Sequence, residues 1–232
     1  MKLEPSPNEE ARPPCMVILF RPAVRVLLLG LLLFLPAPDL RWPAGWLYLG
    51  LYAAWSVLNI VLLARRSPGL LSLREGRRPV ASESWDKAFM FLGGFLLACL
   101  LLACSVEAVP SAGFTLLSSA AFLCLCAAYW LFTRALLSNP FAIGVATVQE
   151  GQVPADKGPY AAVRHPIYLA AIVIFISTPA ALGSAGGFVP AALLAVLVLG
   201  RTALEDRLLL GSLQGYREYA GRVPYRLLPG VW

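Results

Sequence analysis

Charged residues are scarce in this chain of 232 residues, since only 14% are Asp, Glu, Lys or Arg while 59% are hydrophobic. A soluble domain usually has about 25% charged residues. So many apolar side chains cannot all be buried inside a water-soluble protein of this size. The composition therefore excludes a disordered chain and a soluble globular domain, and it is typical of a protein that crosses the lipid bilayer several times.

The sequence also lacks the patterns of a metal site or a disulfide framework. His165 is the single histidine, and nearly all of the five cysteines lie in apolar stretches without a neighbouring histidine. Zinc sites combine Cys and His at short spacings, and disulfide frameworks belong to small secreted chains. We therefore expect no metal, and we expect the cysteines to pack as small hydrophobic side chains.

The basic residues are distributed in a way that indicates membrane orientation. The 19 Lys and Arg residues exceed the 13 acidic ones and give a net charge of +6. They flank apolar runs and form no single basic patch, so we expect no nucleic-acid partner. Cytoplasmic loops of membrane proteins collect Lys and Arg. One orientation of six spans places every basic residue except Arg41 on the cytosolic side, together with both termini.

Apolar runs divide most of the chain into candidate spans. The first, Val17 to Leu35, is interrupted by arginines and a proline, so it is either a span or an interfacial helix. The run from Trp46 to Leu63 is long enough to cross about 30 Å of hydrocarbon. Ala88–Val109 and Ala112–Phe132 are predicted to form a helical hairpin, and prolines and glycines divide Ile167–Leu199 into two shorter spans. The predicted fold class is all-α, a polytopic membrane helical bundle with about six transmembrane spans.

The first unusually polar stretch precedes the fifth span and runs from Asn139 to Tyr168. It is long for a connection, which is typical of a functional loop. Pro166 is predicted to begin the span, so Arg164 and His165 would lie at a helix amino terminus, where unpaired N–H groups favour an anion. The alternative is that Arg164 and His165 are interfacial anchors.

The second polar stretch continues the sixth span, where Arg201 and Glu205 lie four residues apart on one helix face. They could form an ordinary surface ion pair, but such a pair contributes only about 0.3 kcal/mol to helix stability. Ionisable residues at the end of a membrane span are typical of a functional site. Because the orientation places both polar stretches on the cytosolic side, we expect them to form one site.

In order and spacing, these residues resemble the isoprenylcysteine carboxyl methyltransferase family, particularly its small bacterial members. The shared motifs are Trp85-Asp86-Lys87, Asn139-Pro140-Phe141, Gly158-Pro159-Tyr160, Arg164-His165-Pro166-x-Tyr168, Arg201-x-x-x-Glu205-Asp206, Gly215-Tyr216-x-x-Tyr219, Arg222-Val223-Pro224 and Pro229-Gly230. R-H-P-x-Y alone also occurs in phospholipid N-methyltransferases and sterol reductases. The full set is therefore more specific for the family than for a substrate.

The resemblance implies an integral membrane enzyme, in a bacterial inner membrane, whose active site faces the cytosol and uses S-adenosylmethionine. No G-x-G-x-x-G follows a predicted strand, in agreement with a fold that is not Rossmann-like. The implied catalytic residues are Arg201, Arg164 and Glu205, and the implied cofactor-binding residues are Tyr160, His165, Pro166, Tyr168, Glu205 and Asp206. The family has paired glutamates where this chain has Glu205-Asp206, which puts the role of Asp206 in doubt.

Composition, hydropathy and the resemblance together divide the chain into functional parts. Residues 1–14 are expected to be a disordered cytosolic tail. Residues 15–137 would hold four spans with a basic cytosolic loop at 64–87, and 138–232 would form the catalytic region. That region contains the cofactor loop, two spans and an amphipathic C-terminal helix.

The nature of the methyl acceptor decides which chemistry the site needs. A carboxylate, as in an isoprenylcysteine, needs no base and could be held by the guanidinium of Arg201 or Arg164. An amine or thiol must lose a proton, for which His165, Glu205 or Asp206 would serve. Membrane location favours an amphiphilic acceptor.

Other functions stay open at this point. These are a phospholipid amine or small-thiol methyltransferase, a sterol-type NADPH reductase, and a transporter or membrane scaffold without enzymatic activity.

Overall fold

The computed structural model describes residues 15–75, 83–109 and 113–232, without the side chains of residues 15–19. The predicted tail 1–14 lies outside the described residues, and so does part of the predicted basic loop. The described parts are helical and contain no strand. The helices are α1 (Cys15–Phe34), α2 (Pro43–Arg66), α3 (Pro68–Glu75), α4 (Ser84–Val106), α5 (Leu116–Ser138), α6 (Pro166–Leu182), α7 (Phe188–Ser212) and α8 (Tyr216–Arg222), with a short 3-10 helix at Gly158–Ala161.

Four of these helices, α2, α4, α5 and α7, are long and apolar enough to cross a membrane. Helix α6 is apolar but has 17 residues, the lower limit for a span. Helix α1 has 20 residues and contains Pro22 in addition to two arginines. The all-α class is thus confirmed, whereas the predicted count of about six spans is not.

Contacts at the helix ends show that the long helices run alternately in opposite directions. At one end, the Ser105 hydroxyl of α4 donates to the Leu33 carbonyl of α1 at 2.6 Å. At this same end, Glu107 after α4 accepts from the Gly186 N–H before α7 at 3.1 Å. The end of α5, the beginning of α6 and the end of α7 therefore meet at the opposite end of the bundle, where both polar stretches lie.

The interior of the bundle is filled by leucine side chains that have almost no exposed surface, such as Leu33, Leu100 and Leu125. Other large apolar side chains point outward, among them Phe91 and Leu116, which are 81% and 89% exposed. Outward apolar side chains along long helices are expected where lipid replaces water as the solvent. The bundle is therefore apolar both inside and outside.

The predicted break in the last apolar region is present between α6 and α7. Gly183 ends α6 with a left-handed backbone, φ +75°, which glycine adopts without steric cost. Three residues later, a Cβ atom on Gly186 would lie 2.3 Å from a carboxylate oxygen of Glu107. Only glycine at this position allows the carboxylate to reach the backbone at the start of α7.

Helix α3 was not expected, because Pro68–Glu75 falls inside the region predicted as the basic loop 64–87. Its apolar side chains Leu70 and Leu71 are buried in a small cluster with Leu63 and Leu136. A helix of eight residues is not stable by itself. Packing against α2 and α5, which local sequence does not reveal, therefore stabilises α3.

Candidate active site

A cavity of about 460 Å³ lies where the two polar stretches meet. The loop between α5 and α6 covers one end, and α4, α6 and α7 form the deeper walls. Charged, polar and aromatic side chains line the loop end: Arg74, Asn139, Tyr160, Arg164, His165, Tyr168, Arg201, Glu205 and Tyr216. Apolar residues line the deeper part: Gly93, Leu97, Ala171, Phe175, Leu194, Leu197 and Val198. The cavity is thus polar at one end and apolar between the helices.

His165 and Glu205 come from separate polar stretches and lie side by side in this cavity. The Nδ1 atom of His165 is 4.0 Å from Oε1 of Glu205. The Tyr168 hydroxyl donates to Oε2 of Glu205, and the Tyr168 ring stacks on the His165 ring with centroids 5.8 Å apart. The two polar stretches therefore meet in one cavity, as we expected from the sequence.

Asp206 lies next to Glu205 but has a different environment. Its side chain has no exposed surface and does not line the cavity. Its oxygens accept hydrogen bonds from five donors: Arg164 Nε at 2.9 Å and Nη2 at 3.0 Å, His165 Nε2 at 3.1 Å, Tyr216 Oη at 2.9 Å and Arg226 Nε at 2.8 Å. Asp206 thus connects the loop between α5 and α6, helices α7 and α8, and the C-terminal segment that follows α8 (residues 223–232). Hydrogen bonds within the protein already occupy both of its carboxylate oxygens.

The hydrogen bond with Asp206 also determines which ring nitrogen of His165 carries a proton. A carboxylate can only accept a hydrogen bond, so Nε2 of His165 carries a proton. In the neutral imidazole, Nδ1 is then an acceptor on the side of Glu205. In this neutral form, His165 therefore presents to the cavity a nitrogen that can accept a hydrogen bond.

Arg164 is engaged in contacts within the protein. Only 7% of its side chain is exposed, and besides Asp206 it donates to the carbonyls of Val223 at 2.9 Å and Pro224 at 2.8 Å. Burial lowers the pKa of Arg164, but its hydrogen bond and attraction to Asp206 outweigh burial and raise the pKa overall. The Arg164 guanidinium has few donors left for a ligand.

The amino terminus of α6 is less open to an anion than expected. Pro166 occupies the first helical position, as predicted, but does not line the cavity. The backbone N–H groups of Arg164 and His165 donate to the carbonyls of Tyr225 and Arg226, both at 2.9 Å. These two donors are therefore used to attach the C-terminal segment.

Arg201 does not pair with Glu205, the carboxylate that lies four residues away on the same helix face. Its Nη2 atom lies instead 2.8 Å from Oδ1 of Asp86, a carboxylate without exposed surface. Nη2 also donates to the Gly144 carbonyl at 3.0 Å, and the guanidinium lies 5.4 Å from the centroid of the Tyr168 ring. The surface pair Arg201–Glu205 considered from sequence is therefore wrong.

Asp86, which contacts Arg201, and Arg74, which lines the cavity, were not among the site residues identified from the sequence. Asp86 belongs to a motif of the resemblance, but no role followed from it; its Oδ2 atom accepts from the Ala146 N–H at 2.9 Å. Arg74 lies at the end of the unexpected helix α3 and donates to the Ala142 carbonyl at 2.5 Å. The sequence signal that could have identified Asp86 is its position as an acidic residue at the start of an apolar span. Arg74 had no such signal, because it was one of several arginines in a predicted basic loop.

Three tyrosines at the loop end act as hydrogen-bond donors or acceptors and not as charges. Burial raises the pKa of Tyr160, Tyr216 and Tyr219 well above the ordinary value. Tyr160 accepts from Asn139 at 3.3 Å, and the Tyr219 hydroxyl donates to the Tyr160 carbonyl at 2.8 Å. These phenols therefore stay neutral near pH 7.

The chain matches no protein-family model and no curated protein. The family resemblance thus depends on the motifs. Of the residues that it implies for the site, Tyr160, Arg164, His165, Tyr168, Arg201 and Glu205 line the cavity, whereas Pro166 and Asp206 do not.

Proposed function

We propose that this protein is an integral membrane methyltransferase that transfers the methyl group of S-adenosylmethionine to an amphiphilic acceptor. The observation that carries the proposal is that both polar stretches line one cavity, which has a charged and aromatic end and an apolar end. The proposed arrangement has six spans in a bacterial inner membrane, with the termini and the cavity mouth in the cytosol. The preferred acceptor is a carboxylate of the isoprenylcysteine type.

The residues at the polar end suit a cationic cofactor. Glu205 lines the cavity with 23% of its side chain exposed. It contacts Tyr168 and His165, and among the described residues it has no arginine or lysine partner. S-adenosylmethionine supplies a methyl group on a positively charged sulfur, and it also carries an ammonium group. Glu205 would accept from the ammonium or a ribose hydroxyl, while Tyr160 and His165 would contact the rest of the cofactor.

The deeper part of the cavity suits the apolar tail of an acceptor. Leu97, Phe175 and Leu197 line it between α4, α6 and α7, and burial of such a tail contributes about 25 cal/mol per Å². A carboxylate held beside Arg201 would need no base, so the protein would mainly orient the reactants and exclude water. For an amine or thiol acceptor, His165 and Glu205 line the cavity as possible bases, whereas Asp206 is occupied.

Equilibrium binding to the detergent-purified protein tests the proposal. We expect S-adenosylmethionine to bind, and Glu205→Gln to weaken binding by about 1.5–3 kcal/mol, because a hydrogen bond between charged groups is lost. Glu218→Gln, which changes an exposed carboxylate on α8, is the matched control. Incubation with methyl-labelled cofactor, followed by mass spectrometry of lipids and small thiols, would then identify the acceptor.

Other results would contradict the proposal in different ways. Binding of NADPH in place of S-adenosylmethionine would favour a reductase of the sterol type. Absence of binding by either cofactor, or affinity that is unchanged in Glu205→Gln, would favour a transporter or scaffold.

A further inference from the structure

Most charges around the cavity are neutralised by partners within the protein. These pairs are Arg164 and Arg226 with Asp206, and Arg201 with Asp86. Two charged groups in the cavity wall are exceptions among the described residues. Glu205 has no arginine or lysine partner, and Arg74 has no carboxylate partner. Within the described residues, the cavity wall thus presents one carboxylate without an Arg or Lys ion-pair partner and one guanidinium without an Asp or Glu ion-pair partner.

Arg74 is held at the cavity by its position on α3. Its neighbour Glu75 is turned toward Arg25 of α1 and accepts two hydrogen bonds from it, at 3.0 and 3.1 Å. Arg74 therefore lies beside a carboxylate that is already paired, and its one hydrogen bond among the described residues is to the Ala142 carbonyl. Burial has the largest effect on the pKa of Arg74 and lowers it, and the charge of the neighbouring Glu75 offsets this only in part, because burial disfavours the charged form. An anion in the cavity would remove this cost.

Arg74 and Glu205 line the same cavity and are connected by contacts through its wall. The Nη1 atom of Arg74 lies 3.7 Å from the position that a Cβ atom on Gly144 would occupy, and the Gly144 carbonyl accepts from Nη2 of Arg201 at 3.0 Å. The Arg201 guanidinium lies 5.4 Å from the centroid of the Tyr168 ring, and the Tyr168 hydroxyl donates to Glu205. One positive and one negative group therefore face the same cavity, and together they complement a ligand group that carries both signs.

We infer that Arg74 binds the α-carboxylate of S-adenosylmethionine while Glu205 binds its α-ammonium group. This inference rests on the proposed function. A guanidinium matches a carboxylate through two parallel hydrogen bonds. Arg74 thereby takes the role that the amino terminus of α6 was expected to have, since the N–H groups of Arg164 and His165 are occupied.

The inference can be tested by comparing two cofactor probes on purified full-length protein. The probes are S-adenosylmethionine and its decarboxylated analogue, which keeps the sulfonium and amine but lacks the carboxylate. We expect the wild-type protein to prefer the intact cofactor by about 10- to 100-fold, as for a charge-assisted hydrogen bond. Arg74→Gln should bring the two affinities close together, and Arg74→Lys should keep part of the preference. Arg66→Gln, at an exposed position at the end of α2, should change nothing.

The ratio of the two affinities separates binding from a structural effect of Arg74. Loss of the hydrogen bond to Ala142 would loosen the loop and weaken both probes by the same factor. A ratio in Arg74→Gln equal to that of the wild type would therefore overturn the inference and leave the proposed function intact. A wild-type protein that does not distinguish the probes would overturn it as well. If the wild type binds neither probe, the proposed function fails, and the inference fails with it.

Discussion

At the scale of single residues, Glu205 and Asp206 are adjacent in sequence but have opposite environments. Asp206 is fully buried and accepts from two arginines, whereas Glu205 lines the cavity. We expect Asp206→Asn to destabilise the protein by about 3–5 kcal/mol, because it leaves two guanidinium groups without their counter-ion. Unfolding in detergent with increasing denaturant measures this change.

The neighbouring residue, Glu205, provides the control variant for this prediction. Glu205→Gln should leave the unfolding midpoint almost unchanged, because no arginine or lysine depends on that carboxylate among the described residues. Equal midpoints for Asp206→Asn and the wild type would show that Asp206 does not hold the loop and the C-terminal segment together.

Asp86 and Arg201 give a second prediction at this scale. Either single change, Asp86→Asn or Arg201→Gln, leaves a buried charge without its partner. Each should therefore lower the free energy of unfolding by about 3–5 kcal/mol. The double variant should be less destabilised than the sum of the two, with a coupling of about 0.5–3 kcal/mol. Strictly additive effects in this double-mutant cycle would mean that the pair does not interact.

The residue types of the site could be predicted from the sequence, but most of their partners could not. Arg164, His165 and Glu205 stood out because ionisable residues are costly near lipid. The pairing of Arg201 with Asp86 depends on the approach of α4 to α7, which helix periodicity does not report. Helix spacing allowed Arg201–Glu205 as a pair, and tertiary contacts selected a different one.

At the scale of helices, the beginning of α7 depends on a carboxylate from the end of α4. Glu107 accepts from the Gly186 N–H at 3.1 Å and from the Ser184 hydroxyl at 3.0 Å. The hydrogen bond from Gly186, followed by that from Ser184, lowers the pKa of Glu107 below its ordinary value of 4.5. A carboxylate near a helix amino terminus is also favoured by the helix dipole.

The lowered pKa predicts how stability depends on pH. A group whose pKa is lower in the folded state stabilises that state above its unfolded pKa, and this stabilisation is lost as the pH falls through the folded pKa. We expect Glu107→Gln to be less stable than the wild type at pH 7. The difference in melting temperature should shrink below about pH 4.5. A difference that is the same at pH 7 and in acid would contradict this role, and the exposed Glu150→Gln is the control.

The long helices were predicted from the sequence more accurately than the segments between them. Hydropathy identified α2, α4 and α5 with ends that differ by three to six residues, because a span needs about 20 apolar residues in succession. Pro166 at the start of α6 also agreed with its sequence signal. Helix α3 and the conformation of the loop over the cavity were not predicted, since short helices and irregular backbone depend on the surfaces that they contact.

At the scale of the whole molecule, the alternating helices place the polar end of the cavity at the end of the bundle that collects basic residues. Arg41 lies at the other end, between α1 and α2, in an exposed ion pair with Asp39 at 3.0 Å. Basic residues resist transfer across the membrane during insertion. The charge distribution therefore predicts that the loop over the cavity lies in the cytosol and that Arg41 lies outside.

Single-cysteine labelling tests this orientation. In a variant whose five native cysteines are replaced by alanine, Arg41→Cys and Glu150→Cys place thiols at exposed positions on opposite ends of the bundle. We expect a membrane-impermeant maleimide to label Arg41→Cys in intact bacterial cells, and to label Glu150→Cys only after the inner membrane is opened. The reverse pattern would place the cavity outside the cytosol. Because a methyl donor such as S-adenosylmethionine is a cytosolic metabolite, that pattern would also contradict the proposed activity.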